Sequence, residues 1–576
     1  MKKSKSIKLK SIAFVIWFLL AGIHVQSQTQ PLLSDTIDVV KYEIHLKVTD
    51  LNSSSISAST KVFFHSKINN IEYLPLELWN LQVDSAKFEA TLLNPSDISH
   101  VGTNLRFHLP VALQISDTFE IEIFYHGIPP VDPTGWGGFI IVNGMMAYNL
   151  GVGFGADPHN LGKSWFPCVD DFIDRASYEY YITTSENHSA VCGGEFIETF
   201  TNPADTTQLI HHWKLDQEIP TYLASVAVAN WQTYSDSYQG IQATIPIEVY
   251  THNSSTATGV AGAVVNLKAA LASFENRFGP YKWPRVGYVG TTVGAMEHSC
   301  NIAFPYYYFN GTTSAEVTMA HELAHHWFGN LFTCASAPEM WINEGGASFC
   351  EYVFMEDVHG LQAGKDFIRS NHENNLRTLQ HIEGWLTLDG VSHDYTYSST
   401  VYEKGSDVFH SMRGYLGDDL FFDAIKAMCD DYAFKPIGTQ QFCDFMTTET
   451  GIDMQAFFDV YLYAPGWTHF SVDSFTVTQL PTENEVKVYV RQKLKEAPAF
   501  ALNNRLEITF MDENWNRQTE MIEFSGEFGE QTFIVPFIPV AAMIDLEERF
   551  SDATTDYYTV IDTIEYFDFG KAYFKM

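Results

Sequence analysis

Apolar and polar residues alternate with a period of two over much of the first 250 residues. Every second residue is apolar between positions 42 and 48, and positions 119–123 repeat the pattern with acidic residues in between. A period of two is typical of strands that bury one face. Clusters of Asn, Gly, Pro and Ser separate these runs, as expected for turns. The pattern predicts a β-rich N-terminal domain over residues 28–244.

The period changes to that of a helix near residue 257. Apolar residues then recur at spacings of three and four, which is typical of one face of an amphipathic helix. These residues are Val260, Val264, Leu267, Leu271, Phe274 and Phe278. Gly279 and Pro280 are expected to end this helix. Helical patterns continue to about residue 463 and predict a mainly helical domain over residues 245–464.

Alternation returns after the Ala-Pro-Gly turn at positions 464–466. Residues 486–490 and 506–510 place apolar side chains at every second position, which predicts a small β-sandwich over residues 465–550. The tail, residues 551–576, is acidic and aromatic, and its pattern assigns it no structure. The predicted fold is therefore multidomain α+β, with a β domain, a helical domain and a β-sandwich in that order.

The first residues have the pattern of an export signal. Five lysines precede an apolar run of 12 residues at positions 12–23, and Val-Gln-Ser follows at 25–27. One helical membrane span needs about 20 apolar residues, so this run predicts a cleaved signal peptide over residues 1–27. No second long apolar run follows. We therefore expect an exported protein, periplasmic or extracellular, without stable membrane insertion.

The charge of the chain argues against two classes of partner. Its 70 acidic and 34 basic residues give a formal net charge of −36. Nucleic acids and anionic lipid surfaces are bound by clustered Lys and Arg, so neither is expected here. Seven cysteines occur without a Cys-x-x-Cys spacing, which favours buried free thiols with at most one or two bridges. Cys429 and Cys443 are the pair considered for a bridge.

Residues 321–325 read His-Glu-Leu-Ala-His. Four residues advance a helix by about 400°, so His321 and His325 lie one turn apart on one face, where both can bind one metal ion. Glu322 lies between them and can take a proton from metal-bound water. Thr313 or Ser314 is expected to cap the helix that carries these residues.

A third ligand is available in a second predicted helix. Residues 343–348 read Asn-Glu-Gly-Gly-Ala-Ser, with Asn343 as the expected cap and Glu344 in the first turn. A catalytic zinc takes three protein ligands and keeps one position open, whereas structural zinc is more often enclosed by four ligands, largely Cys. Two His and one Glu therefore favour one catalytic Zn2+ per chain. The alternative is an ordinary helix face that carries two His and a Glu.

These segments resemble the aminopeptidase N and leukotriene hydrolase family of gluzincin zinc metallopeptidases. Residues 321–330 read His-Glu-Leu-Ala-His-His-Trp-Phe-Gly-Asn, and Glu344 follows His325 by 344 − 325 = 19 residues, which is the family's spacing. Three further segments match: Gly-Ala-Met-Glu-His at 294–298, Tyr-Glu-Lys-Gly at 402–405 and Ser-Trp-Phe-Pro-Cys-Val-Asp-Asp at 164–171. The resemblance spans residues 35–550. It implies a saddle-like N-terminal β-sheet, a thermolysin-like catalytic domain and a C-terminal β-sandwich.

The resemblance implies a catalytic role for five residues. His321, His325 and Glu344 bind zinc, and Glu322 is the general base. Tyr402 donates a hydrogen bond to the oxyanion of the tetrahedral intermediate. Without the resemblance, Tyr402 would be read as an ordinary core or surface tyrosine.

The resemblance also implies how a peptide substrate binds. Gly294 and Ala295 let the substrate backbone approach closely, Met296 belongs to the same motif, and Glu297 pairs with the free α-amine. The implied activity is that of an aminopeptidase, which removes N-terminal residues from peptides with zinc-activated water as nucleophile. His326 points about 100° away from the ligands on the helix, so we exclude it from the metal site.

Four features depart from the family pattern. His298 stands where the family usually has Asn, and Pro158 where a Gln that helps to bind the amine is usual, with Asp157 or His159 as candidate substitutes. Gly346 stands where an aromatic residue is common. The family's C-terminal helical domain is not evident after residue 464, which predicts a short form with a more open site.

Three alternative functions follow. A zinc endopeptidase with relaxed N-terminal specificity is the first, because His298 changes the surroundings of Glu297. A peptide-binding scaffold that has lost turnover is the second, and the intact ligands, base and tyrosine oppose it. Epoxide hydrolysis on a lipid is the third and is based only on the activity of one family member.

Overall fold

The computed structural model describes residues 32–115 and 118–552, together with the backbone of three short strands beyond residue 559: β28 (Val560–Ile561), β29 (Ile564–Glu565) and β30 (Ala572–Phe574). The predicted signal peptide, residues 1–27, lies outside the described residues and stays a prediction.

Among the described residues, seventeen strands precede the first α-helix. They are β1 (Ile37–Val48), β2 (Ile56–Ser66), β3 (Ile71–Glu77), β4 (Gln82–Phe88), β5 (Thr91–Leu92), β6 (Ile98–Val101), β7 (Asn104–Leu113), β8 (Thr118–Gly127), β9 (Gly138–Val142), β10 (Met146–Leu150), β11 (Ala176–Ser185), β12 (Ser189–Cys192), β13 (Glu195–Thr201), β14 (Gln208–Ile219), β15 (Val226–Ala229), β16 (Gln232–Gln239) and β17 (Thr244–Thr251). In β1, burial alternates in step with the apolar pattern of the sequence. Tyr42, Ile44 and Leu46 are buried, and the residues between them are not.

Eight of these strands form one large sheet in the order β13-β14-β11-β1-β2-β8-β4-β5. β1 pairs in parallel with β11 and antiparallel with β2. Smaller sheets, β12-β15-β10-β9 and β3-β7-β6, complete this region. The predicted N-terminal β-sheet domain is confirmed.

The last hairpin of this series, β16–β17, forms one sheet with two strands of the helical region. β17 pairs in parallel with β18 (Val286–Thr291), which pairs in parallel with β19 (Ile302–Pro305). The domain boundary predicted at 244/245 falls between β16 and β17, whereas this pairing favours a boundary before β16. Every residue of β18 and β19 is buried, so the hydrophobic pattern shows no alternation that would reveal these strands.

Besides β18 and β19, the helical region contains ten α-helices and one further pair of short parallel strands among its described residues. The helices are α1 (Ser254–Ala263), α2 (Leu267–Phe278), α3 (Glu316–Ala324), α4 (Glu344–His359), α5 (Leu361–Asn374), α6 (Gln380–Ile382), α7 (Ser399–Leu416), α8 (Asp418–Asp431), α9 (Thr439–Thr450) and α10 (Gln455–Tyr461), and the strands are β20 (Phe332–Cys334) and β21 (Lys435–Ile437). The predicted mainly helical domain is confirmed.

The single amphipathic helix predicted between Val260 and Phe278 is wrong in one respect. The chain forms two helices, α1 and α2, with a bend of 41° between them. Gly279 ends α2 as predicted, with a φ of 93° that glycine adopts at little steric cost. No single helix in the described ranges is long and apolar enough to span a membrane, although α1 and α2 taken together have the length and composition.

The last region is a β-sandwich, as predicted. Its strands are β22 (Trp467–Gln479), β23 (Asn484–Lys495), β24 (Asn504–Met511), β25 (Arg517–Phe524), β26 (Phe528–Val535) and β27 (Ala541–Ile544). They form the sheets β22-β23-β26 and β25-β24-β27-β30. Phe510 on one sheet contacts Phe533 on the other, with 5.3 Å between ring centroids, so the apolar faces of the two sheets meet.

All seven cysteines are buried and free. The bridge considered between Cys429 and Cys443 is therefore absent, and the expectation of buried free thiols is confirmed.

Candidate metal centre and active site

Two helices bring the predicted ligands together. α3 carries His321 and Glu322, and His325 is the first residue beyond its end, still in helical conformation with its N–H bonded to the carbonyl oxygen of His321. The predicted caps are wrong, because Ala315 occupies the N-cap position of α3 and forms no side-chain cap. Glu344 begins α4 as predicted. The Asn343 side chain does not cap α4, since its oxygen accepts the N–H of Cys334 at 2.9 Å.

Three nitrogen and oxygen atoms of His321, His325 and Glu344 converge on one point. The two Nε2 atoms are 3.1 Å apart. Glu344 Oε2 lies 3.5 Å from Nε2 of His321 and 3.3 Å from Nε2 of His325. All three residues are buried.

In each imidazole ring, the hydrogen bond made by Nδ1 decides whether Nε2 carries a proton or a lone pair. Nδ1 of His321 lies 2.8 Å from a carboxylate oxygen of Glu351, and Nδ1 of His325 lies 2.9 Å from the carbonyl oxygen of Phe328. Both partners only accept hydrogen bonds in these roles, so each Nδ1 carries the proton and donates it. The two Nε2 lone pairs therefore face each other and an anionic oxygen, an arrangement that needs a cation between them. Histidine ligands of metals are oriented in this way, and two His with one Glu suit zinc.

Glu297 and Glu322 approach the same centre from the side of His325. Their carboxylate oxygens and a ring nitrogen of His325 lie within 4.8 Å of one another. Glu322 is 6% exposed, and its Oε2 has no hydrogen-bond partner among the described residues. Burial, together with the charges of Glu297 and Glu344, raises the pKa of Glu322 to about 8 against the opposing effect of the two imidazoles. This group of three offers only one imidazole, so His321, His325 and Glu344 remain the better zinc ligands.

Tyr402 lies on α7, with its ring stacked on that of His321 at 6.0 Å between centroids. Burial, together with the nearby Glu344 and Glu297 carboxylates, raises the pKa of Tyr402 well above its usual value. The phenol therefore keeps its proton at neutral pH and can donate it in a hydrogen bond beside the metal centre.

Residues 294–297, the predicted substrate segment, run beside β19. Met296 is buried and forms a two-bond bridge with Ala303, in which each N–H donates to the other's carbonyl oxygen at 3.0 Å. Asn330 donates to the carbonyl oxygen of Glu297 at 2.7 Å. These bonds fix the backbone of Glu297, and the Glu297 carboxylate is thereby held near His325.

Two residues near the centre are absent from the sequence predictions. Glu351, which orients His321, lies seven residues after Glu344 on α4 and hence on the same face, so its spacing could have revealed it. Tyr397 lies outside any helix. Burial raises its pKa, and the charges of Glu344 and Glu297 add to the shift, which places Tyr397 beside the centre. No local pattern reveals this position.

His298, the departure from the family pattern, is buried and does not face the metal centre. Its Nε2 accepts the N–H of Gly151 at 3.2 Å. Burial lowers the pKa of His298 to about 3, so the ring is neutral at neutral pH. Its bond to Gly151 links residues 294–298 to the chain that follows β10. His326 is also outside the centre, as predicted, with its Nδ1 2.7 Å from the hydroxyl of Tyr281.

The candidate substitutes for the family's glutamine have other partners. His159 is buried and stacked on His393 at 4.0 Å between ring centroids, and its Nδ1 lies 2.8 Å from the carbonyl oxygen of Gly153. The carboxylate of Asp157 is largely exposed and lies 3.8 Å from His393. In the part of the chain that the structure describes, no hydrogen bond links either residue to Glu297, so the substitution stays a prediction.

Comparison with known protein families gives a match for the central region of the chain, which contains the metal centre. Residues 263–461 match the peptidase family M1 domain. The mouse protein aminopeptidase B is 25% identical over 423 residues, which is 67% of this chain and 60% of the mouse protein. Aminopeptidase A of Gloydius brevicauda is 25% identical over 354 residues, which is 56% of this chain and 35% of that protein. The chain thus spans 60% or less of the length of these curated relatives.

Solved structures share the fold. The M1 zinc metallopeptidase of Deinococcus radiodurans aligns with a TM-score of 0.66 and 19% identity, over 75% of this chain and 97% of that one. Aminopeptidase A of Legionella pneumophila, solved with aspartic acid, aligns with a TM-score of 0.73 and 17% identity, over 91% of this chain and 60% of that one. These likenesses show the fold, and the family match together with the converging His321, His325 and Glu344 leads to one conclusion: residues 263–461 of this chain form a peptidase family M1 domain.

Proposed function

We propose that this protein is a zinc-dependent aminopeptidase that removes N-terminal residues from peptides. The observation that carries the proposal is the pair of Nε2 lone pairs converging on Glu344, beside a Glu322 carboxylate that is buried and has an oxygen without a protein partner. The names of the relatives, aminopeptidases A and B, support the exopeptidase reading.

His321, His325 and Glu344 would hold the zinc ion. Zinc supplies Lewis-acid chemistry there, because it polarises a carbonyl oxygen and acidifies water. Glu322 then acts as general base and acid: its free oxygen takes the proton of the attacking water and returns it to the leaving amine. Burial raises the proton affinity of Glu322, which suits a group that must hold this proton between the two steps.

Two further residues bind parts of the substrate. Tyr402 is protonated and donates a hydrogen bond to the oxyanion, where negative charge develops. Glu297 is 6% exposed, and its carboxylate lies close to the centre. A substrate ammonium group that pairs with it replaces the solvation lost by burial. This pairing selects peptides with a free N-terminus.

The test is the release of a fluorophore from aminoacyl substrates with free amines, measured with a chelator, without it, and after zinc is added back. We expect turnover that the chelator abolishes and zinc restores. N-acetylated versions of the same substrates are expected to resist cleavage. Cleavage of the acetylated peptides at comparable rates would instead establish the endopeptidase alternative, and zinc-loaded protein without any turnover would establish the scaffold.

We also infer export, on the evidence of residues 1–27 alone. N-terminal sequencing of the protein after secretion from its native cells is expected to begin at Gln28. Retention of the lysine-rich start in the mature protein would contradict this inference.

A further inference from the structure

A buried arginine of the N-terminal β region reaches the segment that joins α3 to α4. Arg175 immediately precedes β11 and is buried. Its Nη2 donates to the carbonyl oxygen of Asn330, and its Nη1 donates to the hydroxyl of Thr333 at 2.7 Å. Its Nε donates to the carbonyl oxygen of Glu218 at 3.1 Å, just before the end of β14. One guanidinium thus connects the strand region to the residues that follow the first helix of the metal centre.

The Arg175 guanidinium is charged but makes no ion pair with any carboxylate in the described ranges. Burial lowers its pKa to about 10, so the side chain is cationic at neutral pH. Its three acceptors are two carbonyl oxygens and one hydroxyl. A buried charge is costly unless its hydrogen bonds are made, and hydrogen bonds from a charged donor are stronger than those from a neutral one. The guanidinium therefore holds these acceptors firmly in place.

Asn330, which Arg175 holds, contacts both sides of the active site. The residue is fully buried. Its backbone N–H donates to the carbonyl oxygen of His325 at 2.9 Å. Its side-chain Nδ2 donates to the carbonyl oxygen of Glu297 at 2.7 Å and to the hydroxyl of Ser299 at 3.3 Å. Asn330 therefore fixes the segment that carries Glu297 relative to a ligand of the metal centre.

The second contact of Arg175 holds the same segment at its other end. The Thr333 hydroxyl, which accepts from Arg175, donates in turn to the carbonyl oxygen of Gly329. The N–H of Gly329 donates to the carbonyl oxygen of Phe332 at 2.8 Å. Residues 329–333 are thus closed on themselves by hydrogen bonds, and the guanidinium holds them at two points. Loss of Arg175 would release both.

We propose that Arg175 is a positioning residue for Glu297. Through Asn330 it sets where the Glu297 carboxylate lies relative to His325, and hence how tightly the site binds the α-amine of a substrate. The inference rests on the proposed aminopeptidase function, which assigns the amine to Glu297. Arg175 lies outside residues 263–461, so the N-terminal β region takes part in substrate selection although none of the hydrogen bonds of Arg175 reaches Glu297 or a metal ligand.

The test measures how much the α-amine contributes to binding. The two probes are leucine hydroxamate and 4-methylpentanehydroxamic acid, which has the same side chain and metal-binding group but no amine. Isothermal titration calorimetry on zinc-loaded protein gives both dissociation constants without turnover. The wild-type protein is expected to bind leucine hydroxamate at least about tenfold more tightly, the effect of one buried ion pair with a charge-assisted hydrogen bond. Arg175→Met is expected to bring this ratio close to one, because small displacements weaken such a pair strongly.

Arg285→Met is the matched control. Arg285 is also buried, and its guanidinium also donates to carbonyl oxygens of the strand region, those of Gly194 at 2.6 Å and Cys192 at 2.7 Å. It makes no hydrogen bond to Asn330 or Thr333 in the described ranges. Both variants lose a buried cation that joins two regions, and only Arg175→Met is expected to lower the ratio.

A milder variant tests the same link if Arg175→Met does not fold. Thr333→Val keeps the shape of the side chain but removes the hydroxyl that connects Arg175 to Gly329. The bond from Arg175 to Asn330 remains in this variant. The ratio is therefore expected to fall by about two- to threefold, less than in Arg175→Met.

The outcomes separate this inference from the proposed function. A wild-type ratio near one would overturn the pairing of Glu297 with the amine, and both proposals with it. A high wild-type ratio that Arg175→Met and Thr333→Val leave unchanged would overturn the positioning role alone. An equal fall of the ratio in Arg285→Met would show that general loosening of the fold causes the effect, and this too would overturn the role of Arg175 while leaving the aminopeptidase function intact.

Discussion

Two buried clusters of acidic residues in this protein obtain their positive charge in different ways. Near β3, the Lys163 ammonium lies 3.2 Å from Asp170 Oδ2, and both side chains are almost fully buried. Glu77, which accepts the N–H of Asp170 at 3.3 Å, lies beside them. The cation of this cluster is part of the chain.

At the metal centre, three carboxylates instead surround two imidazoles whose Nε2 lone pairs face inward. No Lys or Arg in the described ranges makes an ion pair with Glu297, Glu322 or Glu344. Buried anions are costly without a partner, so the first cluster completes itself when the chain folds, and the second needs an ion from solution. This difference separates a structural cluster from a reactive one.

The largest expected effect is on the reactive cluster. Glu322→Gln removes the base and keeps the three ligands, so turnover of an aminoacyl fluorophore should fall by about 10³-fold or more, with zinc still bound. Metal analysis and kcat measured on the same sample test this. Turnover near that of the wild type would show that Glu322 is not the base, and loss of zinc would show that it is a ligand.

The next effect is on the structural cluster. Lys163→Met leaves Asp170 buried without its cation and is expected to lower the free energy of unfolding by about 3–5 kcal/mol. Lys268→Met is the control, because that lysine pairs with Asp236 at the surface, where a pair contributes about 0–1 kcal/mol. Urea unfolding of both variants measures the difference. Equal destabilisation would contradict the contrast between the clusters.

Tyr402→Phe is expected to lower kcat by about 10²–10³-fold, which is the effect of one lost oxyanion donor, and to change KM little. The hydroxyl acts mainly when charge develops on the oxyanion, so binding of the substrate should not need it. Steady-state kinetics on one aminoacyl substrate separates the two constants. An equal rise in KM at constant kcat would assign Tyr402 to substrate binding alone.

The smallest effect concerns pH. Burial raises the pKa of Glu77 to about 7, against the opposing charge of Lys163. The folded protein thus binds this proton more tightly than the unfolded chain does, and stability is lost as pH rises through 7. Between pH 5 and pH 8, the free energy of unfolding should therefore fall by about 2 kcal/mol less in Glu77→Gln than in the wild type.

The matched control for this prediction is Glu72→Gln, an exposed position on the same strand. Urea midpoints at pH 5 and pH 8 are compared for the wild type and the two variants. The same pH dependence in all three proteins would show that Glu77 does not have the raised pKa assigned to it in the structural cluster.

Local patterns predicted the parts of the fold that are governed by local geometry. Alternating burial in β1 and β23 follows from the pleat of a strand, and the placement of His321 and His325 follows from the turn of a helix. The predictions failed where local choices compete with packing. Ala315 rather than Thr313 or Ser314 stands at the N-cap of α3, and the helix predicted up to Phe278 is broken after Ala263.

By itself, the sequence determined the order of β, helical and β regions and the ligand set, because periodicity and motif spacing are properties of neighbouring residues. Only the tertiary structure decided what surrounds that set. It buries His298 away from the centre, brings Tyr397 beside Glu344, and opens a cavity that Glu403 lines. The physical reason is that burial, pKa shifts and cavities depend on segments that are distant in sequence and meet only when the helices and sheets pack together.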